Sequence, residues 1–214
     1  VCAILEGAHI AAVFLFQTSG IWSFTFAGTP DSCHARVVGN TKEENLERTL
    51  RALFDSGSHL VGHNVAYDMV TNIYSYPNLT SSILSAYRQK RVHDTFIREK
   101  LSHLGSHGHV DTIGGKRISY SLAGLANDRL GVDISADKLG GVRTQYANMD
   151  NIPASQYPPS YYNYSLQDAM ITKEVFLDQE KEMAHLNLSH LLDIEWLHVN
   201  AAFCLFLMTV RGLK

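Results

Sequence analysis

The chain has 214 residues, of which 45% are hydrophobic and 18% are charged, and this composition indicates an ordered chain with enough apolar side chains for a core. Its formal net charge is −3, so the strong basic excess of many nucleic-acid-binding domains is absent, although a local basic track is compatible with that value. The three cysteines form no Cys-x-x-Cys pair, and the first residues lack the basic start of a signal peptide. Both features predict a cytoplasmic protein with reduced thiols.

The amino-terminal part of the chain predicts a β-hairpin followed by a helix. Residues 10–16 form a nearly continuous apolar run and residues 21–26 alternate between apolar and polar, which is typical of a buried strand paired with a half-exposed one. Residues 1–7 are predicted to be a loop. A helix is predicted to begin with a capping-box pattern at Thr41 and to end at Gly57.

The middle of the chain predicts two short strands, each followed by a helix. Residues 60–61 are predicted to be a buried strand, with a helix over about 66–74. Residues 92–95 predict a second strand that also leads into a helix. The segments 77–80 and 105–116 are predicted to be loops, the latter because it is rich in Gly and His.

The rest of the chain predicts three helices. The first spans residues 119–130 and ends at Gly131, and a polar loop with one short helix is expected over 135–159. A long helix over 161–185 and a last helix over 193–210 follow. The succession of elements predicts an α/β fold, with a mixed sheet flanked by helices.

A polar motif follows the predicted strand at residues 60–61. His63 and Asn64 lie at the carboxyl end of that strand, which is where α/β sheets bind ligands. Tyr67 and Asp68 follow at the start of the next helix. The four side chains therefore form the first candidate site motif.

A second motif opens the long helix. Tyr164 and Asp168 are four residues apart, so their side chains lie on one face of that helix. Together with Asp68, Asp168 supplies two of the three or four carboxylates with which a nuclease holds two cations about 4 Å apart. Oxygen ligands favour hard cations, so the predicted cofactor is Mg²⁺ or Mn²⁺ in a two-metal site, with Tyr164 orienting the attacking water.

These motifs resemble those of the DEDD (DEDDy-type) 3'-5' proofreading exonuclease domain of family A DNA polymerases, and among these the short replicative polymerases of tailed phages. The resemblance runs in order along most of the chain. It includes Asn64 with Asp68, the pair Asp94-Thr95, the pair Lys116-Arg117 with Leu122, and Tyr164 with Asp168.

The resemblance implies an RNase H-like (DnaQ-like) fold and removal of the terminal nucleotide from the 3' end of single-stranded DNA. By the same resemblance, Asp168 binds the first metal and Asp68 mainly the second. It also implies substrate contacts, a polymerase region in cis as partner, and the host cytoplasm as location if the gene is from a phage. The implied substrate-binding residues are His63, Asn64, Leu122, Lys116 and Arg117.

The chain departs from the family at the first motif, because it contains no Asp-x-Glu on the first strand. Glu6 has Ile4 where the aspartate would stand. We expect that the chain is truncated just before Val1 and that it is inactive without the missing ligands. The expected division is an exonuclease domain over 1–190 and, over 191–214, a helix that leads towards a missing polymerase region.

Two other functions are compatible with the same motifs. One is a stand-alone RNase D-like exonuclease that acts on RNA. The other is a catalytically inactive nuclease-fold module that binds nucleic acid or has a structural role.

Simpler interpretations also exist for single residues. Asp68 suits a helix amino terminus, and Tyr164 suits aromatic packing. The run His103, His107 and His109 favours a solvated loop over a zinc site, because neither a carboxylate triad nor a Cys partner accompanies it.

Overall fold

The computed structural model describes residues 2–6, 9–18, 21–27, 43–134 and 158–212. The strands are β1 (Cys2–Glu6), β2 (His9–Thr18), β3 (Ile21–Ala27), β4 (His59–Gly62), β5 (Val92–Asp94), β6 (Thr112–Ile113) and β7 (Lys116–Arg117). The α-helices are α1 (Glu43–Asp55), α2 (Val65–Ser75), α3 (Thr80–Arg88), α4 (Thr95–His107), α5 (Leu122–Leu130), α6 (Pro159–His185) and α7 (Leu192–Arg211). Short 3-10 turns span Pro77–Leu79 and Ser189–Leu191. The predicted loop at 135–159 lies almost wholly outside the described residues.

A five-stranded mixed sheet has the order β3-β2-β1-β4-β5. Strand β1 pairs antiparallel with both β2 and β4, whereas β4 and β5 are parallel. Cys2 lies opposite Gly62 and Leu5 lies opposite His59. The chain therefore enters β1 at the edge of the sheet where β4 and β5 end. This arrangement confirms the α/β class and the mixed sheet.

The predicted hairpin is confirmed as β2 and β3, but the prediction of a loop over residues 1–7 is wrong. Residues Cys2–Glu6 form β1, which pairs with a strand on each side. A segment of five residues carries too short a pattern to identify a strand by itself. Its partners supply the backbone hydrogen bonds that make it one.

Residues 77–80 were predicted to be a loop, and this is also wrong. Pro77–Leu79 forms a 3-10 turn that leads directly into α3. Leu79, Ile83 and Tyr87 are buried at helical spacing, so one face of α3 packs into the core. That spacing was visible in the sequence and would have identified the helix.

The main core lies between α1, α2, α3 and α7. Leu50 of α1, Met69 of α2 and Ile83 of α3 are almost fully buried in it, and α7 contributes Val199 and Phe203. A second apolar cluster joins α5 to α6. Helix α6 also packs against β1, β2, β3 and β4, so it lies along the sheet. These contacts place α6 beside the strands that carry the candidate site.

The segment Ser189–Arg211 is long and apolar enough to cross a membrane by length and composition alone, with a mean hydropathy of 1.5. Only 17% of its most apolar window is buried inside the protein. However, Glu195 in the first turn of α7 is 3% exposed and pairs with Arg98 of α4. The amino-terminal part of α7 therefore packs as an element of the domain.

Candidate functional site

The carboxylate of Asp94 connects the ends of β4 and β5. Its Oδ1 accepts hydrogen bonds from the backbone N–H of Asn64 at 2.9 Å and of Phe96 at 2.9 Å, and its Oδ2 accepts one from Val65 at 3.0 Å. Asn64 adopts a left-handed backbone conformation, with φ of 59°, just before α2. One side chain thus satisfies free N–H groups at the start of both α2 and α4. The predicted strand at residues 92–95 is confirmed, and Asp94 caps the helix that follows it.

His63 is tied to the same junction. Its Nδ1 lies 3.0 Å from the hydroxyl oxygen of Thr95, which also donates to the carbonyl of Gly62 at 3.2 Å. The ring of His63 meets the ring of Phe96 edge to face, with 6.0 Å between centroids. The predicted residues His63 and Asn64 therefore lie together at this edge of the sheet, next to Asp94.

Burial determines the electrostatics of Asp94. The group is fully buried, and this raises its pKa from an ordinary value of 3.8 to about 6, although its three backbone hydrogen bonds act in the opposite direction. The negative charge of Glu195 raises the pKa further. A carboxylate held in this way is a structural group with an unusually high proton affinity.

Glu195 belongs to a second polar network that the sequence did not reveal. Its Oε1 accepts from Arg98 at 2.9 Å and from the backbone N–H of Asp94 at 3.3 Å, and its Oε2 lies 3.1 Å from Nδ1 of His93. Burial alone would raise the pKa of Glu195, but the hydrogen bond from His93 and the charge of Arg98 lower it to about 2. His93, Asp94 and Arg98 are 97 to 102 residues from Glu195 in the sequence, so no local sequence pattern predicts these contacts.

Asp68 and Asp168 are both buried, with exposed fractions of 7% and 6%. Asp68 lies in the first turn of α2, which directly follows β4. Asp168 lies on α6, which packs against β4. The first turn of α2 suits an acidic residue, because the amino terminus of a helix carries partial positive charge.

The other predicted site residues occupy different surroundings. Tyr164 lies on α6 one turn before Asp168, but its side chain is outside the described part of the chain. Arg117 is exposed on β7, and the side chain of Lys116 is likewise outside the description. Leu122 is 6% exposed and packs in the cluster between α5 and α6. Its contact with a substrate stays a prediction.

The three histidines do not all lie in a loop as predicted. His103 and His107 are on α4, which extends further than the sequence indicated, and only His109 follows the helix. Nδ1 of His103 lies 2.9 Å from the hydroxyl of Tyr120, and its Nε2 lies 3.3 Å from Oε1 of Glu99. Hydrogen bonds within the domain therefore account for His103.

Arg129 joins α5 to α4 and α6. Its guanidinium donates to Glu99 at 2.6 Å, to Asp178 at 2.9 Å and to Glu182 at 2.6 Å. Burial alone would lower the pKa of Arg129, but these hydrogen bonds raise it above its usual value. Glu182 also accepts a hydrogen bond from Ser102, so this partly exposed carboxylate of α6 connects to both α4 and α5.

The donor chemistry at Asp68 and Asp168 fits a hard divalent cation, since both side chains are carboxylates in buried positions. The fit is partial, because a two-metal site takes more than two carboxylates. Within the described ranges, no group of three or more His, Cys, Asp or Glu side chains is arranged to hold a metal ion.

Comparison of the chain with protein-family models and with curated proteins finds no match.

Proposed function

We propose that this domain is the RNase H-like 3'-5' exonuclease of a phage-type DNA polymerase and hydrolyses the terminal phosphodiester of single-stranded DNA. The observation that carries the proposal is the burial of both motif carboxylates, Asp68 and Asp168, on the two helices that adjoin β4. Carboxylate oxygens are the ligands that Mg²⁺ and Mn²⁺ prefer, and two carboxylates on adjoining helices supply part of the ligand set of a two-metal site.

The sheet supports the same proposal. Its order, β3-β2-β1-β4-β5, brings the carboxyl ends of β4 and β5 to one edge, beside the amino terminus of α2. Glu6 is at the far end of β1, opposite His9, so it lies at the other edge of the sheet. A further acidic ligand for the cations that Asp68 and Asp168 would hold therefore has to come from another part of the protein.

In the proposed reaction, Asp68 and Asp168 would hold the cations. A bound divalent cation would generate hydroxide from water at neutral pH and stabilise the charge that develops on the phosphate. Tyr164, one helical turn from Asp168, would orient the attacking water. His63 and Asn64 would contact the terminal nucleotide from the end of β4, and Asp94 keeps their backbone in place.

The test measures hydrolysis of a 5'-labelled single-stranded DNA in Mg²⁺ by the full-length gene product. We expect Asp168→Ala to abolish hydrolysis while single-strand binding persists, because the carboxylate serves the metal. Tyr164→Phe should slow the reaction by roughly tenfold to a hundredfold, since it misplaces the water without removing a ligand. Circular dichroism of each variant shows whether the fold is retained.

Three outcomes would overturn the proposal. If Asp168→Ala digests DNA as fast as the parent, the site is assigned wrongly. If the parent degrades an RNA strand and leaves the DNA intact, the RNase D-like function replaces the proofreading one. Binding without hydrolysis of either strand would instead favour the inactive nucleic-acid-binding module.

A further inference from the structure

Helix α4 has one face in the domain and one towards solvent. The inner face buries Arg98, Leu101 and Ser102, which pack or hydrogen-bond against α6 and α7. The outer face has side chains at the i, i+4, i+7 and i+11 positions, which is the spacing of a single stripe along a helix. This stripe, which we call the α4 ring stripe, consists of Phe96, Lys100, His103 and His107, all of them partly or fully exposed.

The rings of the stripe form a continuous series that starts at the candidate site. His63, at the end of β4, meets Phe96 at 6.0 Å between centroids, and Phe96 meets Tyr120 at 5.9 Å. Tyr120 lies 5.5 Å from His103, which lies 5.8 Å from His107. Three of these four pairs meet edge to face and the fourth is tilted, so none of them is stacked in parallel.

The stripe also carries positive charge. Nζ of Lys100 lies 4.2 Å from the ring centroid of Phe96 and 5.4 Å from that of Tyr120. The neighbouring Glu99 is buried and bonded to Arg129. Burial, the charge of Glu99 and the charge of the exposed Asp111 raise the pKa of Tyr120. The exposed Arg117 lies on β7, three residues before Tyr120 along the chain.

We propose that the α4 ring stripe, with His63 and Tyr120, binds the single strand of nucleic acid that leads away from the candidate site. Aromatic rings bind unpaired bases of any sequence by stacking, and interleaved cations bind the phosphates between them. The stripe is long enough for about four nucleotides, at the lower limit of known single-strand sites. The direction of the strand rests on the exonuclease proposal, whereas the binding itself does not.

The experiment measures binding of fluorescently labelled oligomers by anisotropy, without divalent metal, so that no strand is cut. The probes are a trimer and an octamer of deoxythymidine, and a matched octamer of uridine. The variants are Phe96→Leu, which removes a ring but keeps apolar volume, Phe96→Trp, which restores a ring, and Lys100→Gln. Lys181→Gln is the control, because Lys181 is an exposed lysine on α6.

We expect Phe96→Leu to weaken octamer binding by roughly tenfold, with Phe96→Trp close to the parent. Lys100→Gln should weaken octamer binding and lower the slope of log affinity against log salt by about 0.7, the contribution of one phosphate contact. The trimer, which occupies only the candidate site, should respond less to either change. Lys181→Gln should bind like the parent. The tighter of the two octamers identifies the strand as DNA or RNA.

The proposal is wrong if Phe96→Leu and Lys100→Gln bind the octamer like the parent, or if Phe96→Trp fails to recover what Phe96→Leu loses. Equal losses for the trimer and the octamer would also overturn it, because they would indicate a damaged fold. Failure of the exonuclease proposal has a separate signature. In that case the parent binds the octamer through the stripe but never hydrolyses it in Mg²⁺.

Discussion

Asp94 shows how one residue can set the geometry of a site without taking part in its chemistry. Its side chain reaches the backbone of Asn64 and Val65 from the neighbouring strand and also caps its own helix at Phe96. These bonds hold Asn64 in a left-handed conformation and fix the first turn of α2, which carries Asp68. Asp94 is therefore a positioning residue for the candidate site.

Replacing Asp94 by alanine should destabilise the fold by about 2–4 kcal/mol, because buried N–H groups at two helix starts lose their acceptor. The free energy of unfolding in urea at pH 7 measures this cost. Asp55→Ala is the control, since Asp55 is exposed at the end of α1 and its loss should cost less than about 0.5 kcal/mol. Equal effects of the two changes would contradict the role of Asp94.

The cost of Asp94→Ala should also depend on pH. The native state holds the Asp94 proton more tightly than the unfolded chain, because burial raises the pKa to about 6 from an ordinary 3.8. Between these two pKa values the native state binds a proton that the unfolded chain has released, and this proton stabilises the native state. The parent therefore loses this part of its free energy of unfolding as the pH rises through about 6. The alanine variant has no such group, so the difference between the two proteins should be larger at pH 5 than at pH 7.

At the scale of elements, α7 is docked by a buried ion pair as well as by apolar side chains. Glu195 bonds to Arg98 on α4 and to the backbone of Asp94 on β5, while Val199 and Phe203 enter the main core. The guanidinium of Arg98 also lies 3.9 Å from the ring centroid of Phe176 on α6. The start of α7 is thus connected to the strand end that holds the candidate site.

Glu195→Gln should cost about 3 kcal/mol at pH 7, because it leaves the charge of Arg98 buried without its main partner. Urea unfolding measures the loss. The stabilisation from Glu195 is present above its unfolded pKa of 4.5 and is lost as the pH falls towards about 2, where the native group is protonated. The difference between the parent and Glu195→Gln should therefore shrink as the pH is lowered through this window.

Glu47→Gln provides the control for that experiment. Glu47 pairs with Arg51 one helical turn later at 2.9 Å, and the side chain of Arg51 is 40% exposed, so this surface pair is worth little in water. Its loss should change the free energy of unfolding by less than about 0.5 kcal/mol. An effect of Glu195→Gln that is equally small, or that does not change with pH, would show that α7 is not docked by this pair.

At the scale of the whole molecule, the direction of β1 decides which chemical groups meet. Because β1 is antiparallel to β4, Cys2 lies beside Gly62 at the edge that carries His63 and Asn64. Glu6 is directed to the opposite edge, opposite His9. A reversed β1 would exchange these positions, so the direction of one short strand controls the composition of the site.

Disulfide formation under oxidising conditions tests the direction of β1 relative to β4. In a protein whose Cys33 and Cys204 are serine, Gly62→Cys should form a disulfide with Cys2, since directly paired residues of antiparallel strands lie within bonding distance. His59→Cys should stay reduced, because His59 pairs with Leu5, about 10 Å along β1 from Cys2. Thiol titration and mass spectrometry detect the bond. A disulfide between Cys2 and a cysteine at position 59, with none at position 62, would show that β1 runs in the opposite direction.

Several features of this protein were predictable from the sequence because their causes are local. Ser121 caps the predicted helix α5, because its hydroxyl accepts from the N–H of Gly124. Gly131 ends that helix with φ of 66°, a conformation that glycine adopts without strain. The strand end at His63 and Asn64 and the helical position of Asp68 follow from the same kind of pattern.

The contacts that join these elements were decided only by the tertiary structure. Arg98 and Glu195 are 97 residues apart, and Arg129 bonds to Glu182 across 53 residues, so neither pair leaves a signal in any local window. Cys2–Glu6 became a strand only because two partners flank it. Hydrophobic period, caps and turn residues act within a few positions of the chain. Buried ion pairs and strand register depend on which distant segments the fold brings together, and a single sequence does not contain that information locally.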